Sequence, residues 1–139
     1  MTHDNLFSAL RAAFPSDLTA LAVETDEGLH YSWQDLDRAT AMMANLLQSL
    51  DLPQGSRVAV QVEKSVEAMM LYLATLRAGY VFLPLNTAYQ SAEIEYFIGN
   101  AEPAVVVCSS ANFGWDGRLA LCTDVRPGCN RVPHRSTSA

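Results

Sequence analysis

Apolar residues recur along this chain with two periods, and the switches between them mark out its elements. Leu6, Ala9, Leu10, Ala13 and Phe14 follow the spacing of a helix face, and Pro15 closes that segment. "LAVET" (21–25) and "LHYSW" (29–33) flank Asp26-Glu27-Gly28, the composition of a short hairpin. Ser32 and Asp35 have capping-box spacing, in which a hydroxyl and a carboxylate satisfy the unpaired amides of a helix start. Leu36, Ala39, Met43, Leu46, Leu47 and Leu50 then line one helical face, until Pro53 and Gly55 punctuate its end.

From residue 57 the pattern alternates. "RVAVQV" (57–62) is short and β-branched, a strand. "SVEAMMLYLATLRAG" (65–79) is helical, with Ser65 placed to cap it and Gly79 at the left-handed C′ position. Its apolar residues occupy more than one face, as in a helix packed between layers. "YVFLPL" (80–85) reads as a second strand. Ser91 is expected to cap a further helix that turns Ile94, Phe97 and Ile98 inward and ends at Gly99-Asn100. "AVVVC" (104–108) is a third strand. Near-continuous apolar strands alternating with helices predict an α/β fold. Its partial parallel sheet has β-α-β-α-β order, covered on both faces, with right-handed crossovers.

Composition narrows the classes. A chain of 139 residues, half of them apolar, fits one folded domain and not compositional disorder. The net charge of −6 argues against nucleic-acid or anionic-membrane binding, which need basic surface. The charge is uneven: residues 1–108 carry 5 basic and 13 acidic side chains, a net of −8, whereas 109–139 carry four arginines and two aspartates, a net of +2. "MTHDNLFSAL" has neither the positive charge nor the apolar core of a signal peptide. The longest apolar run, 68–76, is well short of the ~18 residues of a membrane span. A soluble cytoplasmic protein is therefore expected, with Cys108, Cys122 and Cys129 as free thiols.

Candidate chemistry is sparse. Neither G-x-x-x-x-G-K-[ST], nor G-x-G-x-x-G, nor G-x-S-x-G occurs in the sequence. Glu63 and Lys64, the only lysine, directly follow a strand, where α/β proteins place ligand groups. They read as a solvated turn, with an anion contact as the alternative. Asn86, Thr87 and Tyr89 occupy the next strand's exit. They read as turn chemistry with Tyr89 packed on the sheet edge, and pocket lining by Thr87 or Tyr89 is the alternative. Cys122, Cys129 and His134 have spacings that do not match common zinc sites. His30 alternates with apolar neighbours and reads as structural, and His3 sits near a terminus. "AMMANLL" and "AMMLYL" read as ordinary core rather than an adaptable binding groove.

Three stretches carry a resemblance: "VAVQVEKS" (58–65), "AGYVFLPLNTAY" (78–89) and "EIEYFIGNAEP" (93–103). With "NLFSALRAAFP" (5–15) and "YSWQDLDRAT" (31–40), they resemble the N-terminal part of the adenylate-forming, AMP-binding acyl-CoA synthetases. The malonyl-CoA synthetases are the most similar branch. The likeness runs from about residue 5 to about 115. It implies the large-domain fold of those enzymes and a two-step reaction. ATP and a carboxylic acid, malonate in that branch, form an acyl-adenylate and release pyrophosphate. The CoA thiol then displaces AMP, and Mg²⁺ offsets phosphate charge in the first step.

The resemblance also implies that this chain is an N-terminal fragment. The family's phosphate loop, its adenine and carboxylate segments and its adenylation lysine match nothing here. No catalytic, cofactor-binding or metal-ligating residue is assigned, and no cofactor is expected to bind the fragment. Residues 1–115 form the family portion on this reading. Residues 116–139, rich in Arg, Pro, Cys, Ser and Thr, form a disordered or frame-shifted tail in which "RLALC" suggests one short strand. Catalysis by this chain alone is not expected. An uncovered sheet edge offers self-association. The alternative is a small, non-catalytic α/β binding or interaction module.

Overall fold

The computed structural model describes residues 5–109 and 119–122. The chain divides into two compact units, one of residues 1–55 with 64–81, the other of 56–63 with 82–139.

The first unit is mostly helical. Helix α1 (Leu6–Ala12) starts at Asn5, whose side chain accepts a hydrogen bond from the Phe7 amide at 2.8 Å. It stops short of Phe14, whose ring instead packs on Trp33 at 4.7 Å. Strands β1 (Leu21–Glu24) and β2 (His30–Ser32) form the expected antiparallel hairpin. Helix α2 (Trp33–Gln48) opens with the expected capping box. The Ser32 hydroxyl accepts from the Asp35 amide at 3.1 Å, and the Asp35 carboxylate accepts from the Ser32 amide at 2.8 Å.

The buried seam of α2 is Leu36, Thr40, Ala44 and Leu47, not the face drawn from the apolar residues alone. Thr40 enters it because its hydroxyl donates to the Leu36 carbonyl at 2.8 Å, so burial leaves it no unpaired polar group. At about 100° per residue, Leu46 then points away from the seam. It is 53% exposed, and Met42 is 73% exposed, against the expectation that this Met-rich stretch is all core.

Helix α3 (Val66–Arg77) packs against α2. Ser65 caps it by accepting from the Ala68 amide at 3.1 Å. Its end is a Schellman motif: the Gly79 amide donates to Leu76 and the Tyr80 amide to Thr75, with Gly79 at φ 83°.

The second unit is a sheet with one helix. Strands β3 (Arg57–Gln61), β4 (Val81–Pro84), β5 (Val105–Ser109) and β6 (Leu119–Cys122) lie in the order β4-β3-β5-β6. β4, β3 and β5 make the expected parallel sheet, with Val58 opposite Val105 and Gln61 opposite Cys108. The short strand expected in "RLALC" is present as β6 and runs antiparallel to β5, which makes the sheet mixed at that end. The rest of 116–139 lies outside the described residues. Pro84 closes β4 at the sheet's other end, where a missing amide is tolerated. The Leu85 amide then continues the ladder to the Val60 carbonyl at 2.8 Å.

Helix α4 (Ser91–Ala101) differs from expectation at both ends. Its N-cap is Gln90, not Ser91, because Glu93 at the third helical position reaches back to the Gln90 amide at 2.9 Å. It also continues through Gly99 and Asn100. Pro103 disfavours the helical conformation at Glu102, which turns left-handed at φ 45° and ends the helix. Ala59, Leu85 and Val106 are buried in this unit's core, with Leu83, Tyr89, Phe97 and Ile98 packed against them. No helix among the described residues is long and apolar enough to cross a membrane.

Candidate functional site

The carboxyl ends of β3 and β4 bring one cluster together, and a glutamine holds it. Gln61 is buried at the end of β3. Its side-chain amide donates to the Asn86 carbonyl at 2.9 Å and to the Tyr89 carbonyl at 3.4 Å. A buried amide needs such partners, and here they are the two ends of the strand-exit turn. The turn is closed locally as well. Asn86 Oδ1 accepts from the Ala88 amide at 2.9 Å, and the Tyr89 amide donates to the Asn86 carbonyl at 3.1 Å. Tyr89 stacks on Phe97 at 5.0 Å, and Tyr96 meets Phe97 edge-on at 5.6 Å. Thr87 is exposed.

Asn86 and Tyr89 thus take the places that turn chemistry and packing require. The residue that ties them, Gln61, was not singled out from sequence. Its signal is one polar side chain after the apolar run Val58-Ala59-Val60, and the pattern does not register what it faces. Glu63 and Lys64 are both exposed, as residues of a solvated turn are. His30 is exposed on the hairpin, with Nε2 3.1 Å from Glu24 Oε1. Cys108 is a buried cysteine in β5. His3, Cys129 and His134 lie outside the described residues. Among the described residues, no three His, Cys, Asp or Glu side chains group as metal ligands.

A second cluster, in the helical unit, was also not legible in sequence. Asp37 accepts from Arg11 through two bonds, at 3.1 and 3.3 Å, and from Arg77 at 3.0 Å. Arg77 also donates to the Asp37 carbonyl at 3.0 Å and to Thr40 Oγ1 at 3.2 Å. Partial burial pushes the Asp37 carboxyl up, but the hydrogen bonds and charges of Arg11 and Arg77 outweigh it, so its pKa lies below the ordinary 3.8. The carboxylate is matched by two cations and ties three helices. Neither cluster holds a nucleophile beside a base. Each is built to fix backbone, not to move protons.

A chain with a parallel β4-β3-β5 sheet and helices between its strands has the α/β layout of an acyl-CoA synthetase N-terminal domain. Residues 8–135 match the AMP-binding enzyme family, and the chain belongs to it. MatB from Rhodopseudomonas palustris superposes with a TM-score of 0.75 in its apo crystal structure, at 48% identity, over 79% of this chain and 22% of that one. Its ATP-bound crystal structure gives 0.74 at 49%, over 78% and 21%. A nonribosomal peptide synthetase of Pyrenophora dematioidea is 35% identical over 75% of this chain and 8% of its own length. The medium-chain fatty-acid–CoA ligase of Escherichia coli K12 is 29% identical over 59% and 14%. The chain therefore spans about a fifth of the solved MatB chains and less of those curated relatives.

Proposed function

We propose that this chain is the N-terminal piece of an ATP-dependent acid–CoA ligase whose acid is malonate. The observation that carries this is the 48% identity to MatB, a malonyl-CoA synthetase, at a TM-score of 0.75. The reaction so implied joins malonate to the α-phosphorus of ATP, expels pyrophosphate, and then exchanges AMP for the CoA sulfur. Polarising the phosphates needs cations or amide donors aimed at them. The described clusters aim their donors at a turn's carbonyls and at Asp37 instead. Among the described residues no three His, Cys, Asp or Glu side chains group to hold Mg²⁺ independently of the phosphates. The 139-residue chain alone is therefore proposed to be inactive, and the reading carries a cytoplasmic location for the ligase.

A hybrid MatB whose aligned segment is replaced by residues 1–115 tests the assignment. It is expected to form malonyl-CoA from malonate, ATP and CoA. A soluble hybrid with no such activity counts against the reading of residues 1–115 as an acid–CoA ligase segment.

Two further proposals go with it. Among the described residues strand β4 lies at the end of the sheet, with Val81 47% exposed, which supports self-association through that edge. A chain that elutes only as a monomer in size-exclusion, with one cooperative melt, favours the non-catalytic module instead. Residues 116–139 are proposed to be out of frame, on the strength of their charge reversal and lost periodicity. Against this stands a family match that reaches residue 135. Neighbouring DNA in which neither other frame continues the family pattern sinks the idea.

A further inference from the structure

Helix α1 has seven residues, of which only Phe7 is buried. Leu6 is 54% exposed and Leu10 38% exposed. A helix this short does not persist without tertiary support, since isolated helices under ~12–15 residues are marginal. Among the described residues its ties are few, and Phe14 just beyond its end packs on Trp33. Asn5 Nδ2 donates to the Leu76 carbonyl of α3 at 2.8 Å. The Phe7 ring lies 4.8 Å beneath the Arg77 guanidinium. Arg11 grips Asp37 of α2 through two bonds, at 3.1 and 3.3 Å. The helices underneath are held differently. α2 and α3 bury Leu36, Thr40, Ala44 and Leu47 on one side and Met70, Leu71, Ala74 and Thr75 on the other. The Asp37–Arg77 pair also joins α2 to α3 without α1.

We propose that α1 is a strap, latched by the Arg11–Asp37 ion pair, that opens on its own while α2 and α3 stay packed. The asymmetry follows from what each contact loses in water. The Arg11 side chain is 37% exposed and that of Asp37 26% exposed, so salt screens their attraction. The α2–α3 seam is largely apolar, so salt reaches it only through the Asp37–Arg77 pair and leaves its buried contacts intact. Opening leaves Asp37 paired with Arg77, so no buried charge is stranded, and the local event does not spread.

Hydrogen exchange on the 139-residue chain tests this, comparing the amides of residues 8–13 with those of 40–48 and 70–77. Raising salt from about 0.02 to about 0.5 M is expected to lower protection of 8–13 by about three- to fivefold and to leave the other two sets within about twofold. Arg11→Gln is expected to deprotect 8–13 at low salt and to abolish the salt effect. Asn5→Ala deprotects the same amides and keeps it. The proposal is overturned if all three sets lose protection together in any of these conditions. It is equally overturned if residues 8–13 respond neither to salt nor to Arg11→Gln.

Discussion

Replacing Gln61 separates a turn held by a buried amide from one that holds itself. Gln61→Leu keeps the volume and removes both donors, to Asn86 O at 2.9 Å and Tyr89 O at 3.4 Å. A lost hydrogen bond with a desolvated partner costs about 1–3 kcal/mol. Asn86 is exposed and Tyr89 half-buried, so the released carbonyls regain some water. The expected loss is therefore in the lower part of that range, about 1–2 kcal/mol. For a chain of this size that lowers Tm by roughly 3–10 °C. Gln61→Glu is the sharper probe. Its side chain would face two carbonyl oxygens from a buried position, so the folded state keeps it protonated and raises its pKa above the unfolded value of about 4.3. As pH rises past that value, the unfolded chain sheds the proton and the folded chain retains it. Stability then falls with pH, by up to about 1.4 kcal/mol per unit, until the folded pKa is passed. Urea titrations followed by circular dichroism at pH 4 and pH 7 read both effects. Gln61→Leu should be destabilised relative to the parent equally at both, and Gln61→Glu much more at pH 7. A Gln61→Glu chain that lags its parent by the same amount at both pH values would refute the reasoning.

Three smaller perturbations follow from the caps and the ion cluster. Ser32→Ala removes the hydroxyl that receives the Asp35 amide and should cost about 1 kcal/mol in a urea melt. Gly79→Ala meets no atom within 4 Å but places a side chain at φ 83°, so it should cost roughly 1–2 kcal/mol by strain alone. The Asp37 cluster stabilises the fold fully above the unfolded value of 3.8 and loses that contribution as pH falls through the lower folded value. Asp37→Asn should therefore be less stable than the parent at pH 7, with the gap closing in acid. A gap that does not narrow contradicts the assignment.

Much of the fold was legible because its signals are local. The Ser32–Asp35 capping box, the hairpin at Gly28, the Ser65 cap and the Gly79 terminus each lie within a few residues of chain. The family was legible from three short stretches around β3, β4 and α4. Much of what stayed hidden depends on contacts distant in sequence. Gln61 lies 25 residues from Asn86, and Asp37 lies 26 from Arg11 and 40 from Arg77. Thr40 enters the α2 seam through a bond to its own helix, which apolar periodicity does not register. At α4, the choice between Gln90 and Ser91 turned on which amide Glu93 reaches.

The chain belongs to the AMP-binding enzymes, and we propose that alone it does not perform their chemistry. Pyrophosphate release from ATP, malonate and Mg²⁺, measured on the purified 139-residue chain, tests it most directly. The account predicts a rate indistinguishable from the protein-free control. Malonate-dependent release that persists after full-length synthetase has been removed would contradict it.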